Sequence, residues 1–141
     1  MNLRLTRLEK ICEEFGIRIL YVFGSQAEGV RDWVAGLKGK IRFGQSDVDV
    51  GIKGQPGEKR AIKDKVRLSG SLEDFFGCSR VDLIVLDEAD PFLAAEIIRG
   101  ERLMAQDENE ADEYELYVLR RAGDLAFLER ERIALLLEGG S

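Results

Sequence analysis

The sequence contains no histidine. That absence removes Ser-His-Asp and Cys-His catalysis, and with them the imidazole ligands of ordinary zinc sites. Any chemistry must therefore come from carboxylates, hydroxyls, lysines or metals held by oxygen. Cysteine is scarce too: Cys12 and Cys78 are isolated and lack metal-site spacing, so reduced thiols packed in a core are expected. No apolar run approaches the length that spans a bilayer, and "MNLRLTRLEK" lacks the core of a secretion signal. A cytoplasmic protein with no membrane partner is the expectation. Basic charge is in deficit, with 21 Lys and Arg against 27 Asp and Glu and a net charge of −6, which argues against an extended nucleic-acid surface.

What is present is the balance of an ordinary globular domain, 45% hydrophobic and 34% charged over 141 residues. Leu5, Leu8, Ile11, Cys12 and Phe15 recur at helical spacing and stop at Gly16. "IRILYVF" (17–23) reads as a strand closed by Gly24-Ser25. Gly29, Gly36, Gly39 and Gly44 give 29–45 the look of a loop excursion. A strand follows from Asp47 to Ile52, then a helix over 58–76 with a break at Ser69-Gly70. "RVDLIVL" (80–86) reads as a strand buried on both faces. Asp90-Pro91 opens a capped helix, "RGERLMA" is a short fourth strand, and 109–138 is helical. The pattern predicts an α/β (α+β) fold, a small mixed β-sheet with helices on one face and a long C-terminal helix. Residues 1–106 form the domain and 107–141 its helical extension.

The stretch "QSDVDVGI" (45–52) holds a contradiction. Its valines and isoleucine belong in a core, yet Asp47 and Asp49 are costly to desolvate. Side chains alternate along a strand, so the two carboxylates share one face, roughly 7 Å apart at twice the rise per residue. Like charges so placed need something positive between them. A metal ion, a basic side chain and open water at a sheet edge all satisfy that need.

Two further features join this pair. Gly24-Ser25 ends the strand before it, and Asp82 is the only charge from Val81 to Leu86 of the strand after it. Adjacent strands can bring all of them to one end of a sheet. Phosphoryl and nucleotidyl transfer ask a protein for positioning and charge neutralisation more than for covalent chemistry. Strand-borne aspartates suit Mg²⁺, which takes oxygen ligands and shares them with substrate phosphates. Glycine permits close approach of the backbone to a triphosphate, and Ser25 offers a hydroxyl and an N–H. Singly, an Asp-x-Asp or a Gly-Ser pair is ordinary; their joint occurrence in this order carries the argument.

"YVFGSQAEG…SDVDVGI…RVDLIVL" resembles the nucleotidyltransferases of the DNA polymerase beta superfamily, in particular the minimal group called MNT, over about residues 17–104. The resemblance implies that Asp47 and Asp49 bind the metals. It implies that Asp82 binds one of them and helps deprotonate the attacking hydroxyl, and that Gly24 and Ser25 hold the β- and γ-phosphates. It implies two Mg²⁺ ions, with Mn²⁺ as a substitute, and ATP as donor. The chain departs from the family in two ways. Twenty-one residues, Gln26 to Ser46, separate the serine from the first aspartate, a longer loop than is usual. Gln26 and Glu28 stand where many relatives carry arginine. The inserted loop supplies Arg31, Lys38, Lys40 and Arg42, a basic cluster that we expect to fold over the nucleotide in their place.

The group includes the MntA-like antitoxins of HEPN/MNT pairs, which silence a helical HEPN ribonuclease by adenylylating one of its tyrosines. The resemblance thus implies AMP transfer from ATP to a partner toxin, with an acidic surface suited to a basic ribonuclease. The alternatives are nucleotidyl transfer to a small molecule such as an aminoglycoside, or a catalytically idle binding module acting by contact through the C-terminal helix. Trp33 is either a base-stacking residue or a packing plug. The acidic run "DENEADEYE" reads as a solvated helix start. Tyr114, Val118, Leu125, Leu128, Ile133 and Leu136 form an apolar stripe on the last helix, suited to its own core, a partner or a second copy of the chain.

Overall fold

The computed structural model describes residues 2–39, 47–57 and 59–139. Asn2 opens the first helix by accepting the amide of Leu5, and α1 (Leu3–Glu14) runs to the left-handed Gly16. The elements then follow as β1 (Ile19–Phe23), α2 (Ala27–Val34), β2 (Val48–Lys53), α3 (Ile62–Phe76), β3 (Val81–Val85), α4 (Pro91–Ile98), β4 (Glu101–Ala105) and α5 (Glu108–Gly139). Gly77, at φ +74°, stops α3. Asp90 caps α4 by accepting the amides of Phe92 and Leu93, with Pro91 in the first turn.

The sheet order is β3-β2-β1-β4. β1 runs antiparallel to both its neighbours, and β2 and β3 run parallel. The sheet is therefore mixed, as the sequence predicts. The layering is fuller than one covered face. Leu20, Val22, Val48, Val50 and Ile52 pack against Leu8, Val30, Leu68 and Leu72 of α1–α3. Ile19 and Tyr21 point the other way, against Ile97 of α4 and Ala111, Val118 and Ala122 of α5. Alternation along β1 is the reason: four of its five residues are buried, which needs cover on both sides.

Two elements differ from expectation. The glycine-rich stretch after Ser25 is not all excursion, because Ala27, Val30 and Val34 place an apolar face toward the sheet and form α2. α3 starts at Ile62 and passes Ser69-Gly70 unbroken, since Leu68, Leu72 and Phe75 are all buried on one side. Trp33 meets Phe75 edge-on at 5.3 Å between ring centres, and Arg4 lies over its ring at 4.6 Å, so it is a packing plug. Burial pushes the Cys12 thiol up to about 12, the inert thiol expected of a core cysteine.

The acidic run at the head of α5 does more than meet solvent. Arg102 on β4 reaches Glu108 and Glu115 at 2.6 Å and Asp112 at 3.0 Å. Arg18 pairs with Glu110, and the Tyr21 hydroxyl donates to Glu115 at 2.8 Å. These contacts fasten the first half of α5 to the sheet. Beyond Ala122 large apolar residues are exposed, among them Phe127, Leu128, Ile133 and Leu136. Among the described residues no helix is long and apolar enough to cross a membrane.

α4 closes on the sheet at Gly100, where a Cβ would lie 2.4 Å from the Val22 carbonyl oxygen and 2.9 Å from Phe23 Cβ. The nearest obstacle is backbone, so it cannot rotate away. Gly100→Ala is expected to destabilise the fold by about 2 kcal/mol, within the usual range for overpacking. Urea unfolding measures it; an unchanged midpoint means the α4–β4 corner yields freely.

Candidate active site

The site begins where β1 ends. Phe23 pairs with Asp49 on the antiparallel side, and Asp49 pairs with Asp82 on the parallel side. One row across three strands therefore carries two carboxylates on the same face. Asp47 stands two residues before Asp49, on that face again. Val48 and Val50 point to the opposite face and are wholly buried, so the aspartates are turned outward by the core's demand for the valines.

Gly24 follows Phe23 with φ +79°, a conformation L side chains rarely adopt. A Cβ there would lie 2.5 Å from Asp49 Oδ2. Glycine is thus required twice, for its backbone and for the space the carboxylate occupies. The chain turns at once, the Ala27 amide donating to the Gly24 carbonyl at 3.2 Å, and α2 starts. Ser25 is exposed at the turn, beside the amino end of that helix.

The three carboxylates are not equivalent. Burial raises the Asp49 pKa above the ordinary carboxylate value, and the charges of Asp82 and Asp47 raise it further. Asp47 and Asp82 sit at the rim, their side chains 35% and 41% exposed, and both face Arg80. The guanidinium lies 3.1 Å from Asp82 Oδ1 and 3.8 Å from Asp47 Oδ2. Of the three ways to balance the aspartates, a basic side chain is present here, against Asp47 and Asp82. The sequence holds the signal for it: in "RVD" Arg80 stands two residues before Asp82, on its face of the strand.

The structure brings Asp47, Asp49, Asp82 and the Gly24-Ser25 turn together. It does not bring Lys38 to them. Lys38 follows the far end of α2, about 12 Å of helix away at 1.5 Å per residue. There it lines a surface cleft with Asn2, Arg4 and Gly36, and its carbonyl accepts from Arg4. Lys40 and Arg42 lie outside the described residues.

The donor set consists of hard oxygens, the kind a divalent cation such as Mg²⁺ accepts. As placed, no three acidic or thiol side chains among the described residues are drawn tightly enough to form a ready cage for an ion. Carboxylates on adjacent strands with a bend of free backbone beside them suit an ion shared with a phosphate-bearing substrate.

A model of the family "Polymerase beta, Nucleotidyltransferase" matches residues 6–109, an interval that runs from within α1 through β4 to the start of α5. The chain belongs to this family. It is accordingly a nucleotidyltransferase, of a family whose fold generally works with divalent metal ions. No curated protein matches the sequence significantly. Among solved structures, the nucleotidyltransferase resembles a chain from a toxin–antitoxin complex with AMP-PNP, at 17% identity and TM-score 0.65, covering 99% of this chain and 100% of that one. It also resembles a chain of the complex between tri-AMPylated Shewanella oneidensis HEPN toxin and MNT antitoxin, at 17% identity and TM-score 0.60, with 99% and 98% covered. A chain of an MntA–HepT toxin–antitoxin complex matches at 17% identity and TM-score 0.60, with all of both chains covered. At such identities the likeness is one of fold. The aligned length takes in nearly the whole of each chain.

Proposed function

We propose that this nucleotidyltransferase moves AMP from ATP to an acceptor hydroxyl, a tyrosine of a partner HEPN toxin, and so acts as a cytoplasmic antitoxin. The observation that carries the proposal is the set of carboxylates beside the Gly24-Ser25 turn: Asp49 on β2 and Asp82 on β3 in one row, with Asp47 just before β2. The full-length likeness to chains of toxin–antitoxin complexes, one with AMP-PNP and one with an AMPylated toxin, points to the donor and the acceptor.

In this reading Asp47, Asp49 and Asp82 hold two Mg²⁺ ions, for which Mn²⁺ can stand in. When bound, such ions neutralise triphosphate charge and favour an ionised acceptor oxygen. The chain's own residues do the positioning. Gly24 lets the backbone approach the β- and γ-phosphates, and Ser25 donates its hydroxyl to them. Asp82 lies across β2 from that turn, and in this reading its carboxylate takes up the hydroxyl proton. The acceptor oxygen then bonds to the α-phosphorus, the bond to the bridging oxygen of the β-phosphate breaks, and pyrophosphate leaves. The exposed second half of α5, an extension of the same domain, offers apolar surface to the toxin.

The test is incubation with ATP, Mg²⁺ and a purified HEPN toxin, the product of the neighbouring gene where that gene encodes one, followed by peptide mass analysis. The expected product is the toxin carrying AMP on tyrosine. An unmodified toxin, together with AMP transfer to a small aminoglycoside, would replace the proposed acceptor with a small molecule.

A further inference from the structure

Arg80 is fixed at its backbone and largely exposed along its side chain. Its carbonyl accepts the Val48 amide at 3.2 Å, so its Cα is set by the β2–β3 ladder. Its side chain is 68% exposed, yet it reaches both rim carboxylates. We propose that Arg80 is the resident counter-cation of the carboxylate row in the free protein, and that a divalent cation entering the row displaces it. This rests on reading Asp47, Asp49 and Asp82 as the metal-binding residues.

The argument is one of shared oxygens. The atoms Arg80 faces, Asp82 Oδ1 and Asp47 Oδ2, belong to the groups a cation entering the row must use. A guanidinium and a divalent ion compete for them, because the two cations repel across a few ångströms and share the same acceptor groups. Exposed ion pairs hold weakly, so the side chain swings into water at small cost. Without Arg80 three carboxylates would repel one another undamped; with it, they stay aligned until the cation arrives. Arg80 therefore trades affinity for order, acting as a positioning residue that lowers affinity for the free ion.

The test titrates the full chain with Mn²⁺ alone, without nucleotide, following free Mn²⁺ by EPR, for wild type, Arg80→Gln, Arg80→Lys and Asp49→Asn. Arg80→Gln is expected to bind Mn²⁺ about three- to tenfold more tightly, the scale of losing weak competing ion pairs. Arg80→Lys, which keeps the charge, should stay near wild type. The free Arg80→Gln protein should also melt at lower temperature and gain more from Mn²⁺. A purely structural role would lower stability and affinity together, so the opposite signs separate the two. Equal or weaker binding by Arg80→Gln, with binding abolished by Asp49→Asn, overturns the role of Arg80 and leaves the metal site standing. Binding unaffected by Asp49→Asn overturns the metal site, and the proposal with it.

Discussion

Asp49→Asn is expected to lower the rate of AMP transfer about a thousandfold, the scale of removing a group aimed at developing charge, while the folded protein survives intact. Asparagine keeps the shape and removes the charge, so the loss reads electrostatics and not packing. Stability should move the other way. The folded-state pKa of Asp49 is raised by burial and by Asp82 and Asp47. A raised pKa favours the protonated form in the fold, so the group's contribution is fully present below the unfolded value and is lost as pH rises through the folded one. Above the folded-state pKa the carboxylate is ionised in both states, and its burial beside Asp82 and Asp47 destabilises the fold. Asn relieves that, so the melting temperature without cations should rise slightly on the alkaline side of that pKa and lose the gain as pH falls through it. Turnover within tenfold of wild type would remove Asp49 from the chemistry.

Gly24→Ala is expected to cost about 1–3 kcal/mol of stability from forced positive φ and to lower turnover about a hundredfold, the scale of a misplacement near 1 Å. The clash is specific. The new Cβ would lie 2.5 Å from Asp49 Oδ2, so either the turn or the carboxylate must shift. Gly29→Ala is the natural control, because nothing lies within 4 Å of a Cβ there and its backbone is helical. Alanine at 29 should leave turnover unchanged and stabilise slightly. Activity assays and thermal melts on both variants decide it; equal behaviour would mean that the Gly24 turn has slack.

How much of this was legible in the sequence follows from where the information lies. The strands are readable because each is a short apolar run bounded by turn residues, and the Asp90-Pro91 helix start because its cap is local. α2 was hidden by glycines and charges, though Ala27, Val30 and Val34 already sat three and four apart. The false break at Ser69-Gly70 gave local propensity too much weight against Leu68, Leu72 and Phe75, whose burial holds α3 straight. The aspartates and the Gly-Ser turn were found as types in order; their shared row is a matter of register, which only pairing reveals. The clamp on α5 was missed for the same reason: nothing in "DENEADEYE" says that Arg102 and Arg18 will find it. The second covered face follows from the burial of β1 on both sides, a pattern "ILYVF" does carry.

The register between β2 and β3 has a consequence for how such a protein can diverge. Asp49 and Asp82 hang from one rung of the backbone ladder, with Phe23 at its other end and the Gly24 bend just beyond. The gauge of the site is thus cut by main-chain hydrogen bonds, which any strand-forming sequence supplies. Sliding β2 by one residue would send the aspartates inward and the valines out, so slippage is barred by the core itself. Away from that rung, the Gly24 bend and the packed core, the ladder itself asks for no particular side chain.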